Sequence, residues 1–329
     1  MPFLRSGSRT IRTRSRRCRR CPIRNPRIRD VVPAVLTPFR EDLRIDGDTL
    51  QQLTNRLVSI DGVGAIFCAG HAGEVASLSR EERREVTKLV VEAAGGKMPV
   101  LTGIYTDSIT EAVSMAKDAR SAGADAVTLF PPPIFVDGAT ASSEMPFRWF
   151  ETIARQAQTP VVIFQFDRGS NLAYNTETLE RLAGLPEVVA VKEGSSDMTD
   201  YQTNYRTLAS ADPPVPVLTS NNSWLLASLS VGGDGILSGS SNVVAREHVE
   251  LWRAVEAGDL RGARAVNDRL QTLVRAFYRP PFINMHTRMK EALVMMGVLP
   301  RATVRPPLLP LDDAERAEIR GALEAAQLL

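Results

Sequence analysis

Only five of the 329 residues are lysines: Lys88, Lys97, Lys117, Lys192 and Lys290. Four fall in helix-like stretches or a glycine-rich turn, where an ammonium is expected to stay solvated. Lys192 differs, because it ends the apolar run Val188-Val189-Ala190-Val191. An amine at the end of a buried strand loses part of its hydration, which lowers its pKa and exposes a nucleophilic lone pair. Such an amine adds to a ketone carbon. The iminium that forms withdraws electrons from the adjacent C–H or C–C bond. The bland alternative is a lysine that snorkels, or that pairs with Glu193 or Asp197.

Two glycine-containing segments could hold the other half of such a reaction. Gly70-His71-Ala72-Gly73-Glu74 follows another apolar run. A glycine-flanked turn there points backbone N–H groups at one spot, a nest for a carboxylate or phosphate. His71 would face the same space and could move protons near neutral pH. The alternative is a tight turn in which Glu74 makes a local hydrogen bond. Gly232-Gly233-Asp234-Gly235-Ile236-Leu237-Ser238-Gly239-Ser240-Ser241-Asn242 lets the backbone approach a ligand closely. Its glycine spacing fits neither a Walker loop nor a dinucleotide fingerprint. A phosphate site is the competing reading for this segment.

No metal site is expected. His71, His248 and His286 lie far apart in sequence, and the latter two fall on helix patterns as surface or packing residues. Trp149, Trp224 and Trp252 read as core or interface. Cys18 and Cys21 form a lone C-x-x-C without a second ligand pair, and Cys68 sits in an apolar run as a packed thiol. With no disulfide framework, a reducing cytoplasm is the expected compartment.

The elements that position these groups alternate. Apolar runs at 31–39, 63–70, 99–103, 125–130, 160–166, 188–193, 216–220 and 233–239 are rich in Val, Ile and Leu and mostly lack polar alternation. Strands covered on both faces read this way. Amphipathic stretches separate most of them. Ser79 with Glu82 and Ser108 with Glu111 have capping-box spacing, and Asn175 with Gly184 brackets a short helix. Eight such runs predict a (β/α)8 TIM barrel, whose sites gather at the carboxyl ends of the strands. From Val244 the pattern turns helical, with stretches at 244–278, 283–298 and 312–329. The expected organisation is an Arg-rich tail or mis-assigned start at 1–30, a barrel at 31–245, and a C-terminal helical extension at 246–329.

The tail distorts the net charge. Residues 1–30 hold eleven arginines and one acid, which leaves residues 31–329 with 29 basic and 37 acidic residues, a charge of −8. An acidic folded part disfavours nucleic acid as a partner. No apolar run reaches the roughly 18 residues needed to span a bilayer, so no membrane partner is expected.

Four stretches, in this order and spacing, resemble the dihydrodipicolinate synthase/N-acetylneuraminate lyase family over about residues 31–300. They are VPAVLTPF followed by Asp46-Gly47, GHAGEVASLSREER, VVAVKEGSSD and GGDGILSGSSNV, with MKEALVMMGV beyond them. The resemblance implies a class I aldolase-type barrel without cofactor or metal. It also implies a homo-oligomer, tetramer or dimer, and places Lys192 on the Schiff-base lysine. Substrates implied are pyruvate and sugar-derived 2-oxo acids.

The sequence departs from the family pattern in three places. His71-Ala72 stands where the family carries two hydroxyl side chains. Phe164-Gln165 replaces its strand-five tyrosine and asparagine. Pro131-Pro132-Pro133 replaces a tyrosine pair, as in the ketodeoxyglucarate dehydratase branch. Phe164 cannot relay a proton.

The expectation is therefore a Schiff-base lyase, aldolase or dehydratase, acting on a small 2-oxo acid. Lys192 is the nucleophile, and His71 or water shuttles protons. Ala72 and Gly73 hold the C1 carboxylate. Phe164 lines the site, Arg168 binds a second carboxylate or hydroxyl, and Gly235 and Ile236 form the floor. The rivals are 4-hydroxy-tetrahydrodipicolinate synthase, which condenses pyruvate with aspartate semialdehyde, and a catalytically weak barrel that binds 2-oxo acids as a sensor or scaffold.

Overall fold

The computed structural model describes residues 26–329. Strands and helices alternate along the first three-quarters of the chain. The order is β1 (Asp30–Pro33), α1 (Gly47–Val58), β2 (Ile66–Cys68), α2 (Arg80–Ala94), β3 (Val100–Ile104), α3 (Ile109–Ser121), β4 (Ala126–Leu129) and α4 (Glu144–Ala157). It continues with β5 (Val161–Gln165), α5 (Thr176–Ala183), β6 (Val188–Glu193), α6 (Met198–Ala209), β7 (Val217–Thr219), α7 (Leu225–Val231), β8 (Gly235–Ser238) and α8 (Ser241–Glu256).

All neighbouring strand pairs are parallel, in the order β1-β8-β7-β6-β5-β4-β3-β2. Val35 donates its N–H to Phe67 O at 2.8 Å, and Gly64 donates to Val31 O at 2.9 Å. These bonds bring β1 to β2 and close the ring into a (β/α)8 barrel. Every strand residue except Asp30 is buried, because helices cover one face and the packed lumen the other. Cys68 is one such packed residue, its thiol pushed up to about 11 by burial.

Local sequence explains where the helices start. Ser79 and Glu82 form a reciprocal capping box on α2. Ser108 caps α3 through Glu111 N, but the Glu111 carboxylate turns to Thr106 Oγ1, so that box is half made. Asn175 Oδ1 accepts from Thr178 N at 2.8 Å to open α5.

The segment expected as one helix over 244–278 is two. Gly258 takes φ +71 and Asp259 caps a new helix, α9 (Leu260–Tyr278). Two more follow, α10 (Met285–Met295) and α11 (Asp313–Ala325). Buried Arg288 of α10 fixes the turn between α9 and α10. It donates to Arg279 O at 2.6 Å and pairs with Glu315 of α11 at 3.0 Å.

The folded chain starts earlier than the expected tail boundary at residue 30. Ile28 is fully buried, and Arg29 pairs with Asp234 at 3.5 Å. Cys18 and Cys21 lie outside the described residues. No described helix is long and apolar enough to cross a membrane, and no described group of acidic, His or Cys residues could hold a metal ion.

Candidate active site

Strand alternation sorts the two charged residues that end β6. Glu193 points toward the helices, where its carboxylate accepts from Asn204 Nδ2 at 3.0 Å and Asn221 Nδ2 at 2.8 Å. Lys192 points into the barrel mouth and is buried. Its register partner on β5 is Phe164, and the Lys192 Nζ lies 3.5 Å from the centroid of that ring. Phe67 of β2 stands behind it at 5.8 Å. No acidic group pairs with this amine among the described residues, and burial pulls its pKa down to about 7. Asp197, the other candidate partner, caps α6 instead through Thr199 N and Asp200 N.

The loop after β2 packs against the same space. Thr37 Oγ1 donates to Gly73 O at 2.8 Å. Glu74, at φ +57, drops its carboxylate into the protein and pairs with Lys290 of α10 at 2.5 Å. Glu74 is thus not a local turn partner, and Lys290 is not a solvated lysine. From α10, His286 faces His71 O through Nε2 at 2.7 Å and Ile283 O through Nδ1 at 2.7 Å. Held from both sides, the turn leaves the amides of Ala72 and Gly73 with no acceptor among the described residues. Two free N–H groups at a barrel mouth suit an anion.

His71 stacks on Phe282 at 5.9 Å and meets His286 edge-on at 5.4 Å. Burial, then the charges of His286 and Lys192, lower its pKa to about 3. Its imidazole is therefore neutral at working pH.

A cavity of about 430 Å³ joins these groups. One wall is aromatic. Phe164 contacts Phe166 at 4.3 Å and Phe130 at 5.0 Å between ring centroids. The opposite wall, at the ends of β7 and β8, is built of hydroxyls and amides. Asn222 Oδ1 accepts from the Ser238 and Ser240 hydroxyls, and Tyr278 of α9 accepts from Ser240 N–H at 3.2 Å. Gly239 has no side chain because a Cβ there would lie 2.8 Å from Ala72 Cβ.

Lys192, His71, Ala72 and Phe164 line this one cavity, while Gly73, next to Ala72 in the loop, is not part of its lining. Three other expected residues do not join them. Arg168 opens a short 3-10 turn beyond β5, is exposed, pairs with Asp200, and faces a separate depression that includes Asn175. Gly235 and Ile236 open β8, at the strand end opposite the mouth. Gly235 takes φ +149 and packs where a Cβ would lie 2.0 Å from Asp30 O. The floor contributed by this segment is Gly239.

Sequence reading missed Tyr278, Phe282 and Met285, which reach the cavity from the α9–α10 region. It also missed Asn221 and Asn222, for which the Ser-Asn-Asn end of a predicted strand was the available signal. Trp149 and Trp252 are buried, while Trp224 lines the cavity.

With Lys192, the anion loop and the barrel in view, similarity to known proteins becomes decisive. The sequence profile of the dihydrodipicolinate synthetase family matches residues 27–326. The chain belongs to that family. It is a lyase of the class I aldolase type.

Among its relatives, the 4-hydroxy-tetrahydrodipicolinate synthase of Laribacter hongkongensis is 31% identical over 297 residues, covering 90% of this chain and 98% of that one. The dihydrodipicolinate synthase structure from Thermotoga maritima superposes with a TM-score of 0.83 at 26% identity, covering 92% of this chain and 100% of that one. A prophage protein of the family from E. coli K12, solved in complex with pyruvate, gives a TM-score of 0.83 at 26% identity, over 92% and 99% of the two chains.

Proposed function

We propose that this family member forms a Schiff base between Lys192 and a small 2-oxo acid, and then breaks a bond next to the former carbonyl. The observation that carries this reading is one buried amine, faced by rings and paired with no carboxylate among the described residues, sharing a cavity with Ala72, whose amide, like that of Gly73 beside it, has no acceptor there. With a pKa of about 7, a large fraction of Lys192 is free base at neutral pH. The C1 carboxylate of the substrate sits on the Ala72 and Gly73 amides. This brings C2 to the amine.

The amine adds to C2 and water leaves, giving the iminium. In an aldol cleavage the C4 hydroxyl then gives up its proton and the C3–C4 bond breaks. The bonding pair passes to C3 and neutralises the iminium nitrogen as an enamine. C3 is then protonated, and water releases the 2-oxo acid from Lys192. His71 is the proton acceptor at C4. Its low proton affinity in the empty site rises when an anion occupies the adjacent amides, since a nearby negative charge favours the imidazolium. Phe164 takes no proton; it supplies an apolar face that keeps the amine uncharged.

A second reading, 4-hydroxy-tetrahydrodipicolinate synthase, is favoured by the names of relatives at about 30% identity. A pyruvate complex of a family member supports the first carbonyl substrate in either case.

The test is borohydride reduction in the presence of pyruvate, followed by mass mapping of the modified lysine. Modification of Lys192 alone is the expected outcome, and an unmodified Lys192 overturns the proposal. Adding aspartate semialdehyde separates the two readings, since only the second predicts its consumption. Trapping without turnover of any 2-oxo acid would leave a binding barrel.

A further inference from the structure

On the reading just given, we infer that the substrate continues beyond the reacting carbons as an uncharged, hydroxyl-bearing chain and does not end in a second carboxylate. Charge is the first argument. Among the described residues, Lys192 is the only lysine or arginine in the cavity lining, and it is consumed by the Schiff base. The other basic group, His71, is held neutral by burial in the empty site, and the substrate's own C1 carboxylate takes up whatever charge it gains. Arg168, the residue best suited to a second carboxylate, is turned into another depression and neutralised by Asp200. The charged side chain that does stand at the cavity edge is acidic, Asp167. A carboxylate brought here loses water, gains no counter-charge and meets a like charge.

The second argument is the inventory of hydrogen-bonding groups. The hydroxyls of Ser196, Ser220 and Ser223 line the cavity, and none has a partner among the described residues. Tyr278 Oη has an acceptor position filled by Ser240 N–H, while the nearest group for its own proton is Ser238 Oγ at 3.5 Å. The Ser238 hydroxyl gives its own proton to Asn222, so Tyr278 is the donor in that long contact, which a guest hydroxyl coming closer would replace. Groups that both donate and accept match alcohols, which do the same. Across the cavity, Phe164 and Phe166 offer flat apolar faces for the C–H side of such a chain. The two unlike walls fit a guest whose own two sides differ.

The test compares paired six-carbon 3-deoxy-2-oxo acids, identical except that one ends in CH2OH and the other in a carboxylate. Both are assayed for borohydride trapping on Lys192 and for kcat/KM of consumption. The expected result is a preference for the CH2OH compound of at least about tenfold, the scale of one uncompensated charge contact. Ser223→Arg, at an exposed position, should shrink that ratio by improving the carboxylate-ended compound. Equal use of the pair, or preference for the carboxylate, overturns the inference while trapping leaves Lys192 chemistry intact. Higher kcat/KM with an aryl-substituted 2-oxo acid lacking chain hydroxyls overturns it too. Failure of every acid to trap removes the underlying Schiff-base reading, a distinct result.

Discussion

Lys192 and Lys290 are both buried, 6% and 0% exposed, yet they stand in opposite surroundings. Lys290 Nζ meets Glu74 at 2.5 Å and Thr303 O at 2.8 Å, with the Phe39 ring 4.4 Å away. Burial still pulls its pKa down, but the Glu74 charge opposes the pull. Lys192 has a ring at a comparable distance and no anion to oppose desolvation. The same side chain is thus a structural tie in one place and, in the function proposed above, a nucleophile in the other. What separates them is a single carboxylate. The two are also connected, because Glu74 ends the loop whose Ala72 lines the same cavity as Lys192.

The contrast breaks most visibly with Lys192→Arg, which keeps a cation but removes the nucleophile. Borohydride trapping should vanish and turnover should fall by about a thousandfold or more. Residual trapping elsewhere in the chain would mean that the reagent and the tie have been confused.

Lys290→Met should retain the nucleophile and lose stability. It leaves the Glu74 carboxylate buried without its partner, a loss of about 3–5 kcal/mol in urea unfolding. Lys290→Met combined with Glu74→Gln should recover a good part of that loss. No recovery would show that the pair is not the source.

The smallest effect is in pH. Lys192 is protonated below its pKa of about 7 and free above it. Its trapping rate at low substrate should therefore drop about tenfold per pH unit below 7 and level off above. A midpoint near the ordinary lysine value of 10.5 would mean that the amine is not desolvated.

Much of this was legible in the chain. Six of the eight strands fall inside the apolar runs, and β1 and β3 overrun theirs by one residue each, Asp30 and Ile104, because strands covered on both faces need continuous Val, Ile and Leu. Lys192 was visible for the same reason, as a charge interrupting such a run.

What escaped depends on direction and distance. Arg168 follows a strand closely enough to suggest the mouth, but the turn capped by Asp167 carries it outward. Gly235 and Ile236 belong to a glycine-rich motif whose first half lies at the far end of β8. Only its second half, from Ser238 to Asn222-bonded Ser240, reaches the cavity wall. Glu74–Lys290 and His71–His286 join residues more than 200 positions apart, and nothing local in either segment announces the other. Tyr278 looked like the end of an amphipathic helix, which it also is.

Tyr278, Phe282 and Met285 come from beyond the last strand, yet they help to enclose Lys192. The barrel mouth is therefore finished only by the part of the chain that follows the last strand, and the eight β/α units by themselves leave the chamber one wall short.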